Sequence, residues 1–321
     1  MHTLILDKHD ISLEYENQCL IVRQNEEAPR TLPLGHIRKI LCLHSVQLTT
    51  SLLGQLWQRG IDFVMLNSRY SDRSFALFAN QHNQVERRCL QYQWQLSSAQ
   101  CLPIAKELCA HRIKHNLKQI SAQHPLAEAL QANKAAMQHS TNLDQLRGIE
   151  GISQKLFFDY WRELLPTSLG FEKRTRRPPT DPVNALLSLT YSIVMQDAVK
   201  ECIAAGLDSQ LGFYHRTSFG RHSLACDIME PTRALCEEWV FHQFINKTFN
   251  NTHFTKPKDE KTPCLLGKQG REIYYQLIAS EVPQWQKYLK ATARWLSHLI
   301  EKNLSASNQH EQHPPLVLDS L

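Results

Sequence analysis

Apolar and polar residues alternate in short runs through the first eighty residues, a pattern typical of strands that bury one face. These runs lie at 3–6, 11–15, 19–22, 32–34, 40–43, 61–66 and 74–78. The segment 49–59 differs, because its leucines and Trp57 recur at helical spacing and Gly60 follows as a stop signal. The pattern therefore predicts a small N-terminal β domain with one helix, covering residues 1–83.

Beyond about residue 84 the apolar positions recur every 3.6 residues, which is typical of amphipathic helices. Such segments lie at 84–95, 102–123, 126–139, 153–165, 182–205, 231–246 and 282–304. The stretch 305–321 is polar and contains two prolines, so we expect a disordered tail there. The predicted fold class is α+β: a small β domain over 1–83, a larger all-α domain over 84–304 and the tail.

Cysteine usage and hydropathy indicate a reducing compartment. The chain has nine cysteines, and none forms a Cys-x-x-Cys pair. An odd number of scattered cysteines fits reduced, buried thiols better than a disulfide framework or a zinc site. The N-terminus has too short an apolar run for a signal peptide, and no stretch approaches 18 uncharged apolar residues. We therefore expect a cytoplasmic protein without a membrane partner.

The charge balance is mildly basic, with 36 Lys and Arg against 31 Asp and Glu and a net charge of +5. Such an excess is common among soluble proteins and does not by itself indicate a partner. The basic residues nevertheless cluster at 84–119 and at 173–177, the second directly before a Pro-Pro pair. Both clusters are candidate surfaces for an anionic partner, although the default interpretation of 173–177 is an exposed loop.

One stretch, 208–233, concentrates residues that could hold a metal. It contains His215, a Gly-Arg-His turn at 220–222 and two acids three residues apart, Asp227 and Glu230. Each signal also has a simpler explanation. His215 follows apolar and aromatic residues, as a packed core histidine would, and Asp-x-x-Glu before Pro231 resembles a helix capping box.

A further acid, Glu150, lies between Gly148 and Gly151, and glycines let the backbone approach another element closely. The simpler alternative is that Gly148 ends one helix and that Glu150 favours the positive N-terminus of the next. If these acids and His215 meet, one imidazole nitrogen and two or three carboxylates make a hard site suited to Mn²⁺ or Mg²⁺. Such an ion beside basic loops fits phosphodiester chemistry.

Four motifs carry a resemblance to a known family. They are Glu150-Gly151, then Pro178-Pro179-x-Asp181-Pro182-Val183-Asn184-Ala185-Leu186-Leu187-Ser188, then Gly212-Phe213-x-His215, and Gly220-Arg221-x-Ser223-Leu224-Ala225-x-Asp227-Ile228-Met229-Glu230-Pro231-x-Arg233. In order and spacing they resemble the CRISPR-associated endonucleases and integrases of spacer acquisition. A small β domain ahead of a helical domain agrees with the architecture of that family.

The resemblance implies a metal-dependent DNA integrase and nuclease that inserts short foreign fragments into a CRISPR array, with its catalytic site in the helical domain. Glu150, His215 and Glu230 match the metal ligands of the family, and many members have Asp where Glu230 stands. Asp227 matches a nearby second acid and is expected to assist catalysis. The implied cofactor is Mg²⁺ or Mn²⁺.

The resemblance also implies partners: double-stranded DNA as fragment and as CRISPR repeat, and a second copy of the chain joined largely through the β domain. Two such homodimers would flank a dimer of a small ferredoxin-like CRISPR adaptation subunit. The candidate DNA-binding residues, as phosphate contacts, are Arg87, Arg88, Arg112, Lys114, Arg174, Arg176, Arg177 and Arg221. Asn184 and Tyr191 fall on the helix that would line the site, and we expect structural roles for them.

Two alternatives to spacer integration remain open from the sequence. The first is another enzyme on the same scaffold, either a transposon-borne integrase or a branched-DNA nuclease acting in repair. The second is a catalytically silent DNA-binding scaffold, against which the presence of all the implied ligands argues. Ser153, Gln154 and Lys155 depart from the residues usual after the Glu-Gly pair, which leaves substrate details and subunit contacts open.

Overall fold

The computed structural model describes residues 2–25, 27–67, 73–79, 84–176, 178–255 and 262–305, together with Leu316 and Leu318. The chain divides into two units, Met1–Asn83 and Gln84–Leu321. The first unit is rich in strands and the second is helical. The α+β class expected from the two hydrophobic periods is therefore confirmed.

Two four-stranded sheets form the N-terminal unit in its described residues. The elements are β1 (His2–Leu6), β2 (Ile11–Glu16), β3 (Cys19–Gln24), β4 (Arg30–Pro33), β5 (Ile37–Cys42), β6 (Val46–Leu48), α1 (Thr50–Gln58), β7 (Asp62–Met65) and β8 (Phe75–Leu77), with a 3-10 turn at Leu34–His36. The first sheet has the order β1-β5-β7-β8, in which β1, β5 and β7 are parallel. The second has the order β4-β3-β2-β6, in which β2, β3 and β4 are antiparallel.

The alternating apolar positions of these strands meet in one buried cluster. Leu13 of β2 and Leu20 of β3 share it with Ile40 of β5 and with Leu56 of α1. The local pattern does not predict β6, which is three residues long and pairs with β2, about 35 positions earlier in the chain. This strand exists because of its pairing, which no local pattern encodes.

The described part of the second unit contains seven α-helices: α2 (Val85–Gln95), α3 (Ser98–Lys118), α4 (Pro125–His139), α5 (Leu143–Leu164), α6 (Pro182–Ala204), α7 (Ser223–Ile245) and α8 (Lys268–Ser305). At the centre lies α7, in contact with α3, α6 and α8, and nearly all of its first half is buried. A central helix turns its polar residues into the protein interior, and α7 carries several. Within the part of the chain that the structure describes, no helix has both the length and the hydropathy needed to cross a lipid bilayer.

Helix α5 begins ten residues before the predicted start at residue 153. Asn142 caps it there, because its side chain accepts a hydrogen bond from the backbone N–H of Gln145 at 2.9 Å. The two glycines around Glu150 consequently lie inside the helix. The alternative that Glu150 marks a helix N-terminus is therefore wrong.

Helix α7 begins at Ser223, eight residues before its predicted start at Pro231. Proline lacks an N–H and is usually unfavourable inside a helix, but the helices packed around α7 keep Pro231 buried within it. Asp227 and Glu230 therefore lie on an interior helical face. The capping-box alternative is wrong for both, and their carboxylates face other elements of the unit.

Part of the predicted tail packs against the helical unit. Leu316 and Leu318 are 3% and 0% exposed, and the Leu316 carbonyl accepts a hydrogen bond from Nε2 of His111 on α3. The expectation of disorder does not hold for these two leucines, because the unit covers their apolar side chains. The remainder of 306–321 lies outside the described residues.

Two glycines provide a matched test of packing in the helical unit. Gly206 and Gly170 have φ angles of +71° and +65°. A Cβ at Gly206 would lie 2.7 Å from Cβ of Gln84, whereas one at Gly170 would meet nothing within 4 Å. We expect Gly170→Ala to lower the free energy of unfolding by about 1–2 kcal/mol and Gly206→Ala by about 2–4 kcal/mol. Urea unfolding monitored by circular dichroism measures both, and equal losses would contradict the packing argument.

Candidate metal centre

One face of α7 carries three buried acids, Asp227, Glu230 and Glu237. Their spacings of three and seven residues place them on the same side of the helix. Their exposures are 0%, 3% and 0%. Buried carboxylates are costly unless they are paired or hydrogen-bonded, so the partners of these acids decide what the face can do.

Asp227 accepts four hydrogen bonds from the loop that precedes α7. The donors are the backbone N–H groups of Phe213 (2.6 Å), Tyr214 (3.0 Å) and His215 (2.9 Å) and the ring Nδ1 of His215 (2.7 Å). Gly212 permits this approach, since a Cβ there would lie 2.9 Å from Oδ2 of Asp227. A carboxylate has about four acceptor positions, so Asp227 is saturated by the loop.

This arrangement fixes the orientation of His215. A carboxylate oxygen accepts, so Nδ1 of His215 donates, and Nε2 is the ring nitrogen that keeps a lone pair whenever the imidazole is neutral. Nε2 lies 3.5 Å from Oε1 of Glu230. A histidine held by a carboxylate at one nitrogen offers the other to a metal. Asp227 thus orients His215, and its expected part in assisting catalysis stays a prediction.

Glu230 lies between two guanidinium groups. Its Oε1 accepts a hydrogen bond from Nε of Arg233 at 2.8 Å, and its Oε2 accepts one from Nη1 of Arg112 at 2.8 Å. Burial alone would raise the pKa of this carboxyl, but Arg233, Arg112 and His215 outweigh burial and lower the pKa to about 2. Glu230 is therefore ionised throughout the physiological pH range.

Glu150 reaches the same place from α5. Its Oε1 accepts a hydrogen bond from Nη1 of Arg112 at 3.1 Å, so one nitrogen bridges Glu150 and Glu230. Burial raises the pKa of Glu150, with Arg112 opposing the rise and Glu230 adding to it. The side chains of Glu150 and His215 are each 19% exposed, against 4% for Glu230. The site therefore opens to solvent beside Glu150 and His215.

Arg112 is the cation at the centre of this network. It lies on α3 with a side-chain exposure of 5%, and its Nη2 donates to Oε1 of Glu237 at 2.5 Å. Its predicted role as a surface phosphate contact is wrong, because the guanidinium is buried and shared by three carboxylates. Those carboxylates lie 38 to 125 residues further along the chain. The local cluster of basic residues therefore could not predict that Arg112 pairs with them.

The sequence analysis assigned no role to Glu237 or to Arg233, although Arg233 is the last residue of the fourth motif. The Tyr191 hydroxyl donates to Oε1 of Glu237 at 2.5 Å, and the Arg233 guanidinium lies 4.9 Å from the centroid of the Tyr191 ring. The seven-residue spacing of Glu230 and Glu237 was an available signal. It was lost because the predicted helix began at Pro231, which excluded Glu230 from the face that carries Glu237.

The donors of this site fit a hard divalent ion. Glu150 and Glu230 offer carboxylate oxygens and His215 offers a ring nitrogen, and these ligand types suit Mg²⁺ or Mn²⁺. The structure brings the three together from α5, the loop before α7 and α7. In the described residues, however, no three acidic, histidine or cysteine side chains already form a metal cage. Nη1 of Arg112 bridges the two carboxylates instead.

The other predicted DNA contacts differ in their exposure. Two of them, Arg176 and Arg221, are exposed. Four are half-buried: Arg87, Arg88, Lys114 and Arg174. Arg177 lies outside the described residues. Arg174 donates to Oδ1 of Asn184 at 2.7 Å, and burial lowers its pKa to about 10. Arg87 donates to the Ala205 carbonyl and pairs with Glu301. Internal partners thus hold Arg87 and Arg174, and the two exposed arginines are the better placed to meet a phosphate.

A cavity of about 380 Å³ adjoins His215 and is lined by the start of α5 and by 212–216. Arg147 crosses its wall, donating to the Tyr214 carbonyl at 2.6 Å and to Oδ1 of Asp144 at 2.7 Å. The first of these bonds ties α5 to the loop that carries His215, and the second lies within α5. The cavity therefore has a wall of fixed geometry next to His215.

The chain is similar in sequence to proteins of a known family. The model of the family described as CRISPR associated protein Cas1 matches residues 4–280 of this chain. A curated relative, CRISPR-associated endonuclease Cas1 1 of Thermodesulfovibrio yellowstonii, is 32% identical over 320 residues, which cover 95% of this chain and 99% of the relative.

Two solved structures share the fold. A Cas1 protein from Thermotoga maritima has a TM-score of 0.80 at 20% identity, covering 98% of this chain and 100% of that one. A casposase bound to an integration product has a TM-score of 0.80 at 17% identity, covering 94% of this chain and 91% of that one. Likeness at such identities concerns the fold alone. The family match and the 32% identical relative confirm the resemblance carried by the four motifs, and the chain belongs to the CRISPR associated protein Cas1 family.

Proposed function

We propose that this chain is a metal-dependent DNA endonuclease and integrase that inserts short foreign DNA fragments, or spacers, into a CRISPR array. The observation that carries the proposal is the meeting of Glu150, His215 and Glu230 in one partly open site of a Cas1 family chain. The three residues span about 80 positions of sequence, so their meeting depends on the whole helical unit. The name of the 32% identical relative, an endonuclease, supports the reaction class.

Each residue of the site has a definable part in this activity. Glu150, Glu230 and Nε2 of His215 would hold Mg²⁺ or Mn²⁺. Asp227 keeps the His215 ring turned so that Nε2 faces the site. Arg233 helps to keep Glu230 ionised, so this ligand has no proton to lose when a metal binds. A bound ion supplies polarisation of a phosphoryl oxygen and activation of the attacking hydroxyl.

The reaction exchanges one phosphodiester for another. The 3′-hydroxyl of a fragment attacks a phosphorus at the repeat end, a new P–O bond forms, and the P–O bond to the repeat's own 3′ oxygen breaks. The attacking hydroxyl loses its proton to solvent, and the leaving oxygen gains one. A second attack on the other strand completes insertion, and water in place of the fragment hydroxyl gives the nuclease reaction.

The loop between His215 and α7 is a candidate DNA contact. It carries Arg221, which is exposed, and Phe219, whose relative exposure is 107%. The turn that presents them is closed by a hydrogen bond from the Arg221 N–H to the Ser218 carbonyl at 3.1 Å. An exposed aromatic ring beside a guanidinium suits base stacking and phosphate contact. We propose that this loop guides DNA toward His215.

The family resemblance supports an assembly around this site. We propose a homodimer joined largely through the β unit, with double-stranded DNA as fragment and as repeat. Two such dimers would flank a dimer of the small ferredoxin-like CRISPR adaptation subunit. Size-exclusion chromatography with light scattering, with and without that subunit, tests the stoichiometry.

A transposon-type integrase is the second candidate, and the fold shared with a casposase favours keeping it. A hairpin of CRISPR repeat DNA separates the two when it competes with transposon-end DNA in an Mn²⁺-supported integration assay. Preferential insertion at the repeat boundary supports spacer integration. A protein that binds either DNA without nicking it would be the catalytically silent scaffold.

Removing one metal ligand tests the proposed site directly. We expect Glu150→Gln and Glu230→Gln each to reduce Mn²⁺-dependent integration on the order of 100-fold or more, because each loses a ligand oxygen charge. Circular dichroism should show an unchanged helix content. Glu163→Gln, an exposed site on the same helix as Glu150, is the matched control and should retain full activity. Undiminished integration by the Glu150 variant would refute the proposal.

Exposure predicts which arginines contribute to DNA affinity. We expect Arg221→Ala and Arg176→Ala each to reduce the slope of log Kd against log salt by about 0.9, the value for one lost phosphate contact. Arg87→Ala removes the same charge from an internally paired position and should leave the slope unchanged. Fluorescence anisotropy at several salt concentrations measures the slopes. A larger change for Arg87 than for Arg221 would contradict the assignment.

A further inference from the structure

Two polar atoms within one buried ion pair have no hydrogen-bond partner among the residues that the structure describes. They are Nε of Arg112 and Oε2 of Glu237. The same side chains are already joined, because Nη2 of Arg112 donates to Oε1 of Glu237. A donor and an acceptor are thus left over on two groups in contact. Nε and Nη2 form the edge with which a guanidinium makes a two-pronged pair with a carboxylate.

The third nitrogen of the guanidinium, Nη1, contacts other residues. Nη1 of Arg112 donates to Glu150 at 3.1 Å and to Glu230 at 2.8 Å, on the side of the site that opens to solvent. One positive charge therefore serves the two candidate metal ligands at one corner and Glu237 at the other. The two-pronged pair with Glu237 is incomplete while Nη1 keeps these contacts.

We infer that Glu237 is a positioning residue for Arg112, and that Arg112 is a built-in counter-ion of the metal site. Its guanidinium pairs with the two carboxylate ligands while no ion is bound, and it withdraws onto Glu237 when a divalent cation takes those ligands. The inference rests on the proposed binding of metal by Glu150 and Glu230. In the withdrawn position Nε and Nη2 meet both oxygens of Glu237, and the two leftover atoms satisfy each other.

Glu237 is built as an anchor and not as a further ligand. Its side chain is 0% exposed, whereas Glu150 on the open side is 19% exposed. The Tyr191 hydroxyl holds Oε1 of Glu237 at 2.5 Å. The Tyr191 ring is itself fixed between the guanidinium groups of Arg233, at 4.9 Å, and Arg174, at 5.5 Å. Glu237 therefore offers a fixed carboxylate on the closed side of the site.

Charge makes the withdrawal necessary. A divalent cation and a guanidinium that share two carboxylates in a buried site repel each other strongly, because little solvent screens them. Arg112 cannot leave for solvent, since its side chain is only 5% exposed. A retreat to Glu237 keeps the guanidinium paired while it gives up the ligands. Without the charge of Glu237, Arg112 would stay on the ligands and compete with the metal.

A double-mutant cycle on Mn²⁺ binding tests this inference without any activity measurement. Calorimetric titration with Mn²⁺ alone should give a Kd about tenfold or more higher for Glu237→Gln than for the unmodified protein. In an Arg112→Met background the competing charge is gone, and the same change should alter the Kd by less than about twofold. Glu238→Gln, one residue along α7 and half-buried, is the matched control and should leave the Kd unchanged.

Each other outcome is decisive. An equal loss in both backgrounds means that Glu237 contacts the ion itself, and an unchanged Kd for Glu237→Gln means that it does not position Arg112; either overturns the inference and leaves the proposed function standing. An unmodified protein that binds no Mn²⁺ refutes the metal-dependent function and this inference with it.

Crystal structures of the unmodified protein with and without Mn²⁺ provide a test that needs no variant to fold. With the ion bound, we expect a hydrogen bond of about 2.9 Å between Nε of Arg112 and Oε2 of Glu237. Nη1 should then have left Glu150 and Glu230. Persistence of both Nη1 contacts in the ion-bound crystal overturns the inference.

Discussion

The pairing of buried acids on α7 with arginines of α3 and α7 is the interaction on which the helical unit depends. Removing one partner from a buried ion pair costs about 3–5 kcal/mol, a large share of the roughly 5–15 kcal/mol that keeps a typical protein folded. An exposed pair such as Lys8 with Glu27 contributes far less, because solvent screens both charges. The helices must therefore dock in the register that brings Arg112 to its three carboxylates, and this register also assembles the site.

The same face of α7 carries two acids with different roles, and their partners explain the difference. Asp227 is held by three backbone N–H groups and a histidine ring, which are fixed by the loop that they belong to. Glu230 is held by guanidinium groups at the ends of flexible side chains. Only an acid whose partners can move is able to exchange them for a ligand. In the proposed function, Asp227 accordingly orients His215, and Glu230 is the acid that would bind the ion.

Much of the fold and part of the site could be predicted from the sequence. The alternating and 3.6-residue periods identified most strands and helices, and the motifs singled out Glu150, His215 and Glu230, which the structure brings together. The starts of α5 and α7 could not be predicted, because local rules assign glycine and proline to helix ends. In the structure, packing keeps Pro231 inside α7.

The ion-pair network around Arg112 could not be predicted from the sequence, for a different reason. A run of basic residues on one helix looks like a solvated surface, and only tertiary structure shows which of its members is covered by acids from elsewhere. The buried place of Leu316 and Leu318 has the same origin, since a short apolar pair after two prolines gives no local sign of the surface that receives it. Contacts between residues far apart in the chain are what local sequence patterns do not predict.

The arginine charges that balance Glu150 and Glu230 also bear on whether the protein can fold before it binds a metal ion. In many metalloproteins the ligands repel one another, and the chain folds only around its metal. Here Arg112 and Arg233 cancel that repulsion from inside the fold. We therefore expect the chain to fold without a metal ion. A cell short of divalent cations would accumulate folded protein, and not unfolded chains that proteases degrade. With the metal dependence proposed above, the supply of ions would determine when the protein is active, and not whether it folds.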